Sequence, residues 1–492
     1  MGREEQIICE RLKKIDELNK KGINPYPNSY EKKNNASELQ EKYKKLKKGS
    51  KKKDKVKIAG RLLVIRDIGK LIFANLIDGT GKIQIMLKKG ETPEKTIKFF
   101  KDYLDAGDFA GIEGTIARTE RGELSVIVKN LVLLSKSVLP LPEKWHGLKD
   151  DEERYRKRYL DLIMNPELKE LFNKKYIFWK TMREFLAEKG FIEVETPVLE
   201  NTTGGADAKP FVTHYNALDK DVYLRISTGE LWQKRLMIAG FEKTFEIGRQ
   251  FRNEGISMEH LQDYTQMEFY WAYANYNDAM KLVEEMYKKL AKAVLGKLKF
   301  KTHGFEVDLG KKWQKIDYTN EIKKQTGINI INADKDKIIK KLKELKQDYD
   351  PHVDKWRLID VLWKYCRKNI KGPVFIINIP VEISPLAKRS DKNLNVVERF
   401  WVVFAGSEIG NGYSELNDSV DQEMRFEKQE EMRKKGDEEA QMMDKEFVEA
   451  LKYGMPPTAG FGISERLFAY LVDKPIRECV IFPILKPVEE KK

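Results

Sequence analysis

The sequence predicts a multidomain chain, a small β-barrel followed by a large α+β domain, and three observations lead there. The 492 residues leave room for about three ordinary domains, each long enough to bury a core. From residue 56 to 134 the chain reads as short β-rich runs separated by glycine-containing turns, and beyond residue 142 strands alternate irregularly with longer helical patterns. Charged residues make up 35% of the chain, and no apolar run approaches the roughly 18 residues of a membrane-spanning helix, so no membrane partner is expected.

Residues 1–55 read as an N-terminal helix and a basic loop. Ile7, Ile8, Leu12, Ile15 and Leu18 share one helical face, which stops at Gly22 with Pro25 just beyond. This start is rich in Glu, Lys and Arg and lacks the apolar core of a secretory signal, and Gln6 stands where a myristoylation pattern needs Ser or Thr. A cytoplasmic protein is expected. The net charge is +14, and residues 41–57 hold ten Lys against two acids. That run fits a solvated loop, and equally a phosphate-binding segment beside a nucleic-acid-binding domain.

Residues 56–140 carry VKIAGRLLVIR, KLIFANLIDG, GKIQIMLKK, DFAGIEGTIAR and ELSVIVKNLVLL, with DGTG and ERGE as turns. Five strands with a helical stretch near 93–103 between the third and fourth fit an OB-type barrel; another small barrel or sandwich fits the pattern too. Residues 141–492 open with the helical run DEERYRKRYLDLIMNPE and form one large α+β domain. Within it, residues from about 317 to 366 are Lys-rich (KDKIIKKLKELKQ) and read as a helical insertion on the surface. The closing VEEKK is a polar tail. Cys9, Cys366 and Cys479 lie far apart without CxxC spacing, and His146, His214, His260, His303 and His352 form no metal-binding pair, so thiols stay reduced and any metal sits on oxygen ligands.

Three segments concentrate chemistry. Residues 245–276, FEIGRQFRNEGISMEHLQDYTQMEFYWAYANY, read as a hairpin with a long polar tip. Period two places Glu246, Arg252 and Glu254 on one face if the first strand runs unbroken, and Tyr264, Gln266, Glu268 and Tyr270 on one face of the second. The same alternation fits an exposed sheet face with cross-strand ion pairs. In GSEIGNGYSELND, Asn411, Tyr413 and Glu415 share a face, and Glu408, of opposite parity, joins them only from a strand end or past a bulge. MPPTAGFGISERLFAYLVD is a glycine-punctuated run into a helix near Ser464; its glycines suggest close approach of a ligand, and a plain strand-to-helix turn explains them as well.

Taken together these segments resemble one family. FRNEG with His260, FIEVETPVL after Gly190, and the glycine run ending in ERL are similar to the three signature motifs of class II aminoacyl-tRNA synthetases. RYRKRYLDLI, GGADAKPFVTHYNALD, SPLAKRS, EIGNGYSELND, PPTAGFG and KKGINPYP resemble the lysyl-tRNA synthetases of bacterial type, over nearly the whole chain. The resemblance implies an OB-fold anticodon-binding domain, a class II catalytic domain built on an antiparallel sheet flanked by helices, and a homodimer with FIEVETPVL at or near its interface. It also implies an enzyme that activates L-lysine with ATP and charges tRNA(Lys), with Mg²⁺ as cofactor.

Residue by residue, the resemblance implies that Arg252 holds the lysine carboxylate and, with Arg466 and Glu254, carries the catalysis. ATP would meet Arg252, Glu254, His260, Tyr264, Glu408 and Arg466, with Tyr264 stacking on adenine and Glu408 holding metal. The amino acid would meet Gly205 and Glu230 at its α-amino group, and Glu415 and Tyr270 at its ε-ammonium, with Glu268, Asn411 and Tyr413 nearby. A buried ammonium needs such carboxylates to offset its desolvation. Arg66, Phe73, Gln84 and Glu123 would read the anticodon, by stacking and edge hydrogen bonds.

Four places depart from the family pattern. Trp401 replaces a second metal-binding glutamate, so one ion is expected; GFGISER is one residue short; ISTGELWQKRL is one residue long before Glu230; and HLQDYT puts Leu261 where an asparagine is usual. The competing expectations are a class II synthetase of other specificity, argued against by Glu415 and Tyr270, and a non-catalytic tRNA-binding paralogue, argued against by Arg252, Glu254, Glu408 and Arg466. A protein-lysylating paralogue would not need the barrel.

Overall fold

The computed structural model describes residues 2–142, 150–255, 257, 260–437 and 439–487, so His146 and the VEEKK tail lie outside the described residues. The chain divides into two compact units, Met1–Lys149 and Asp150–Lys492.

The first unit is a closed five-stranded barrel. Its strands are β1 (Lys51–Asp67), β2 (Leu71–Ile77), β3 (Lys82–Lys88), β4 (Phe109–Arg118) and β5 (Leu124–Ser135), joined in the order β1-β2-β3-β5-β4. Helix α3 (Glu94–Tyr103) connects β3 to β4, where the sequence pattern put a helix. Alternate residues point inward, so Ile58, Leu62, Leu76, Ile83, Ile85 and Ile112 are sealed in one core. Helices α1 (Arg3–Lys20) and α2 (Ala36–Lys42) add Leu18, Ala36, Leu39 and Tyr43 to it.

The basic run is not a loop throughout. Its second half opens β1, where Lys51 pairs with Ala117 and Lys55 with Thr115 of β4. Residues 51–55 are all exposed, so this stretch is a strand by backbone pairing alone and leaves no hydrophobic period to read.

The second unit is built on an eight-stranded sheet. Its strands run, edge to edge, Gln314–Asp317, Val374–Ile377, Arg399–Phe404, Ser407–Ser414, Thr458–Ser464, Asp263–Ala272, Lys243–Phe251 and Ile192–Glu193. The interior pairings are antiparallel and the two outermost are parallel, so the sheet is mixed rather than wholly antiparallel. One face is apolar: Phe245, Met267, Phe269, Phe400 and Phe461 pack on helices Glu167–Glu188 and Tyr276–Leu295 through Phe178, Met182, Phe185, Val283 and Tyr287. Side chains one residue out of step point the other way, toward the candidate site.

The Lys-rich segment is no surface appendage. Helices Tyr318–Thr326, Lys335–Glu344 and Lys355–Arg367 turn Ile322, Ile338, Leu342, Leu358, Ile359, Leu362 and Trp363 into a second core that includes Tyr270, Trp401 and Tyr413 of the sheet. Lysines cover their outer faces, which is why the composition alone suggested an exposed insertion. Each helix is started by an aspartate, Asp317, Asp334 or Asp354, whose carboxylate accepts from a first-turn amide.

Candidate functional site

The polar face of the sheet is organised by register. Glu246 pairs with Glu268, Glu268 with Gly462, and Gly462 with Asn411, which lies opposite Trp401. One step along, Thr244, Tyr270, Gly460, Tyr413 and Arg399 form the next row. The glycines of PPTAGFG therefore sit mid-sheet between acidic and aromatic neighbours. A Cβ on Gly460 would lie 2.1 Å from Glu415 Oε1 and 2.8 Å from Tyr270 Cε1; on Gly462 it would lie 3.3 Å from Glu268 Cγ. These positions lack side chains so that the charged groups beside them fit.

Three carboxylates converge over this floor, all of them buried: Glu230, Glu268 and Glu415. Glu268 accepts from the Thr228 amide at 2.8 Å and from Tyr270 Oη at 2.9 Å. Burial and the neighbouring charge of Glu230 push its carboxyl up to about 7. Glu230 opens helix Glu230–Ile238, whose cap Gly229 takes φ 70°, and it accepts from Tyr413 Oη. The residue added in ISTGELWQKRL is taken up before this helix, and Glu230 faces the pocket. Gly205 (φ 89°) approaches so closely that a Cβ there would lie 2.8 Å from Glu230 Cβ. Glu415 follows strand Ser407–Ser414, its amide donating to the Thr458 carbonyl at 2.7 Å, and burial drives its carboxyl well above the usual range. Asn411 Oδ1 accepts from Arg399 Nε at 2.9 Å.

Sequence reading passed over one residue at the centre of this cluster. Lys234, one turn after Glu230, has its ammonium 2.7 Å from Glu230 Oε1 and 2.5 Å from Glu415 Oε2. A lysine inside a basic helix reads as solvated, and the acid that captures it comes from a distant part of the chain.

The hairpin strand Lys243–Phe251 ends before Arg252, so Glu246, Arg252 and Glu254 do not share one strand face. Glu246, opposite Glu268 in the ladder, is already paired: Arg225 Nη1 donates to it at 2.6 Å and Thr196 Oγ1 at 2.6 Å. Arg252 lies past the strand end, its amide still donating to the Gln262 carbonyl at 2.9 Å. Its Nε donates to the Ile226 carbonyl at 3.2 Å, which leaves both Nη groups for a ligand. Desolvation would lower this guanidinium, but Tyr264, Glu254, Glu268 and Asp207 hold it above its ordinary value. Its centre is 5.8 Å from the Tyr264 ring. Glu254 and His260 lie on the polar tip: the Glu254 carbonyl accepts from Gln262 Nε2 at 3.3 Å, and exposed His260 has Nδ1 2.7 Å from Ser257 Oγ. Leu261 is buried in the apolar core, so it faces away from any ligand.

Glu408 reaches the polar face as parity required. The ladder pairs Val402 with Gly410 but Val403 with Glu408, a bulge at Ile409 that turns Glu408 to the side of Asn411 and Tyr413. Burial raises its carboxyl, opposed by Arg367, Arg399 and Arg466. Arg466 begins helix Arg466–Leu471 and donates from Nη1 to the Glu408 carbonyl at 3.2 Å, so the short GFGISER run still brings it there. Trp401 packs in an aromatic cluster with Tyr318 and Trp363, ring centres 5.5 and 5.6 Å away. Among the described residues no three acids, cysteines or histidines gather as a metal cage. A single carboxylate is an adequate protein contribution for Mg²⁺, which usually keeps waters and substrate phosphates as its other ligands.

On the barrel, Phe73 lies outside the core. Half-buried, it packs with Leu71 against a small second cluster of buried residues, Met86, Ala117 and Ile127, on the outward side of the strands. A bulge at Val64 (φ 43°) shifts the register of β1, so that Arg66 is exposed on this same side, paired with Phe73. Gln84 accepts from Ser125 Oγ at 2.8 Å, and Ser125 follows Glu123 by two residues at the start of β5. The four barrel residues singled out in the sequence thus border one outer face.

Residues 150–486 match the family described as tRNA synthetases class II (D, K and N), and residues 56–134 match the OB-fold nucleic acid binding domain. The chain is 46% identical over 481 residues to the lysine–tRNA ligase of Thermotoga maritima, covering 97% of this chain and 95% of that one. It is 42% identical to the lysine–tRNA ligase of Thermosipho africanus (97% and 96% covered) and 43% identical to that of Carboxydothermus hydrogenoformans (98% of each).

Proposed function

The chain belongs to the class II lysine–tRNA ligases, and on that premise we propose how its residues divide the reaction. The enzyme activates L-lysine with ATP and transfers the lysyl group to the 3′-hydroxyl of tRNA(Lys). In the first step a lysine carboxylate oxygen bonds to the α-phosphorus of ATP as the bond to the β-phosphate breaks, and pyrophosphate leaves. In the second the tRNA 3′-oxygen bonds to the lysyl carbonyl, AMP leaves, and the hydroxyl proton is released. Neither step needs a protein nucleophile; positioning and charge do the work.

The observation that carries the lysine assignment is the buried acidic cluster over the glycine floor. Glu230 receives the α-ammonium beside Gly205, and Glu415 and Tyr270 receive the ε-ammonium, with Glu268, Asn411 and Tyr413 nearby. An apolar amino acid would leave those carboxylates unpaired, which costs it binding. The free Nη groups of Arg252 take the substrate carboxylate in a bidentate pair. Tyr264 stacks on the adenine, Glu254 and His260 border the nucleotide, and Arg466 meets the terminal phosphate. Glu408 would hold the Mg²⁺ that accompanies ATP, and the ion would offset phosphate charge there. Arg66, Phe73, Gln84 and Glu123 read the anticodon. The protein acts in the cytoplasm as a homodimer; the exposed Ile192, Val198 and Leu199 beside the sheet edge supply an apolar surface for pairing.

ATP–pyrophosphate exchange with each of the twenty amino acids, on wild type and Glu415→Ala, tests the reading. Exchange driven by lysine alone, and lost in the variant, is expected. Exchange with another amino acid would overturn the substrate. No exchange, with tRNA(Lys) still bound, would make the chain a binding paralogue.

A further inference from the structure

The acidic cluster contains a lysine ammonium of the protein's own. Lys234 is 1% exposed, rises from the same helix as Glu230, and bridges Glu230 and Glu415. Its contact with Glu230 is a hydrogen bond; that with Glu415 is a close ion pair without hydrogen-bond geometry. The rings of Tyr413 and Phe447 stand 5.5 and 5.9 Å from Nζ and enclose it. With its stem sealed in the core, Lys234 is a fixture of the pocket and not a side chain that swings out for substrate.

The bridge is also directional. Lys234 takes Oε1 of Glu230 and Oε2 of Glu415. Glu415 Oε1 is thereby turned over Gly460, beside the Tyr270 ring. Glu230, Glu268 and Glu415 set against the one ammonium of Lys234 leave the cluster acidic, as a substrate that brings two ammonium groups requires. Burial already raises the Glu415 carboxyl against the opposing charge of Lys234; without that bridge nothing beside it would hold back its protonation. A protonated acid donates a hydrogen bond and cannot receive an ammonium.

We propose that Lys234 is the resident counter-cation of the lysine pocket, a positioning residue that opposes protonation of Glu415 and aims the remaining oxygens of Glu230 and Glu415 at the substrate. This rests on the lysine-activating reading. Other charged and titratable groups facing the cluster are Glu268 and Tyr270 from strand Asp263–Ala272, Tyr413 from strand Ser407–Ser414, and Arg252 and Arg399.

The test is lysine-dependent ATP–pyrophosphate exchange between pH 6 and 9 on full-length wild type, Lys234→Met and Lys234→Arg, with Lys234→Gln as the second neutral variant should the methionine form not fold. In a neutral variant we expect the lysine KM to rise at least tenfold, with kcat changed less than about threefold and the ATP KM unchanged. The acid limb of kcat/KM for lysine should move up by at least one pH unit, and arginine should return that limb to its wild-type position. A neutral variant with wild-type lysine KM and limb would overturn the proposal. So would a fall in kcat alone with the limb unmoved and arginine no better than methionine, the result of a purely structural role. Wild type that supports no exchange with lysine fails the parent reading instead, before any variant is compared.

Discussion

The barrel and the catalytic sheet carry their recognition surfaces in opposite ways. The barrel keeps its strand interior apolar, and its candidate binding residues stand on the outside: Arg66 is exposed, and Phe73 sits in a small patch separate from the core. The catalytic sheet draws Glu230, Glu268, Glu415 and Lys234 into the interior, beside the second apolar core. A ligand read from outside asks little of the fold. A ligand whose two ammonium groups must be matched inside the protein obliges the fold to bury unsatisfied charge before that ligand arrives. Function and stability should therefore separate cleanly in the barrel and conflict in the pocket.

The harshest way to break this contrast is Gly460→Ala. The added methyl would fall 2.1 Å from Glu415 Oε1 and 2.8 Å from the Tyr270 ring, and neither group has free space. We expect the lysine KM in exchange to rise about a hundredfold, and stability to fall by about 1–3 kcal/mol in urea unfolding, the usual cost of overpacking a close-packed site. Unchanged KM would mean that the pocket is looser than its contacts indicate.

Phe73→Ala sharpens the contrast from the other side. Loss of a base-stacking surface is worth about 1–3 kcal/mol, so kcat/KM for charging tRNA(Lys) should drop by about tenfold or more. Pyrophosphate exchange should be unchanged, while the unfolding midpoint falls modestly, because half-buried Phe73 packs on the small cluster of Met86, Ala117 and Ile127 and not in the main barrel core. A matching loss in exchange would show that the two recognition tasks are not separable.

The same contrast explains what could be read in the sequence. The barrel was legible because β-rich runs and glycine turns mark its strands, with clean period-two burial in β2 and most of β1; the exception is the start of β1, where residues 51–55 are solvated on both faces. The hairpin and its partner strands were legible as alternating runs, and the face of Glu268 and Tyr270 lines up with Asn411 and Tyr413 across the intervening glycine strand because the register there is regular. What could not be read were the junctions. The end of a strand before Arg252, the bulge that turns Glu408, and the capture of Lys234 by Glu415 all depend on segments brought together by the fold. The Lys-rich helices were misread for a related reason: their composition reports the outer face, while the inner face holds half of a core.

Glu268→Gln gives the smallest effect and bears most directly on the conflict inside the pocket. The carboxyl lies at about 7 in the folded protein against an ordinary 4.5, so the native state binds the proton more tightly than the unfolded chain. Below pH 4.5 both states are protonated and the charge costs nothing. Between 4.5 and 7 unfolding releases a proton, stability declines as pH rises, and above 7 the full penalty of a buried carboxylate is in place. Glutamine cannot ionise, and it can still accept from the Thr228 amide. Glu268→Gln should therefore be more stable than wild type by about 1–2 kcal/mol at pH 8, with most of that gain gone by pH 5, while its lysine KM rises. Urea unfolding at the two pH values, set beside exchange kinetics at pH 8, measures both sides. A variant more stable by the same amount at both pH values would show that the gain comes from packing and not from charge. One that is less stable at pH 8 would show that the fold relies on the Glu268 carboxylate, so that the pocket bears no stability cost for its function.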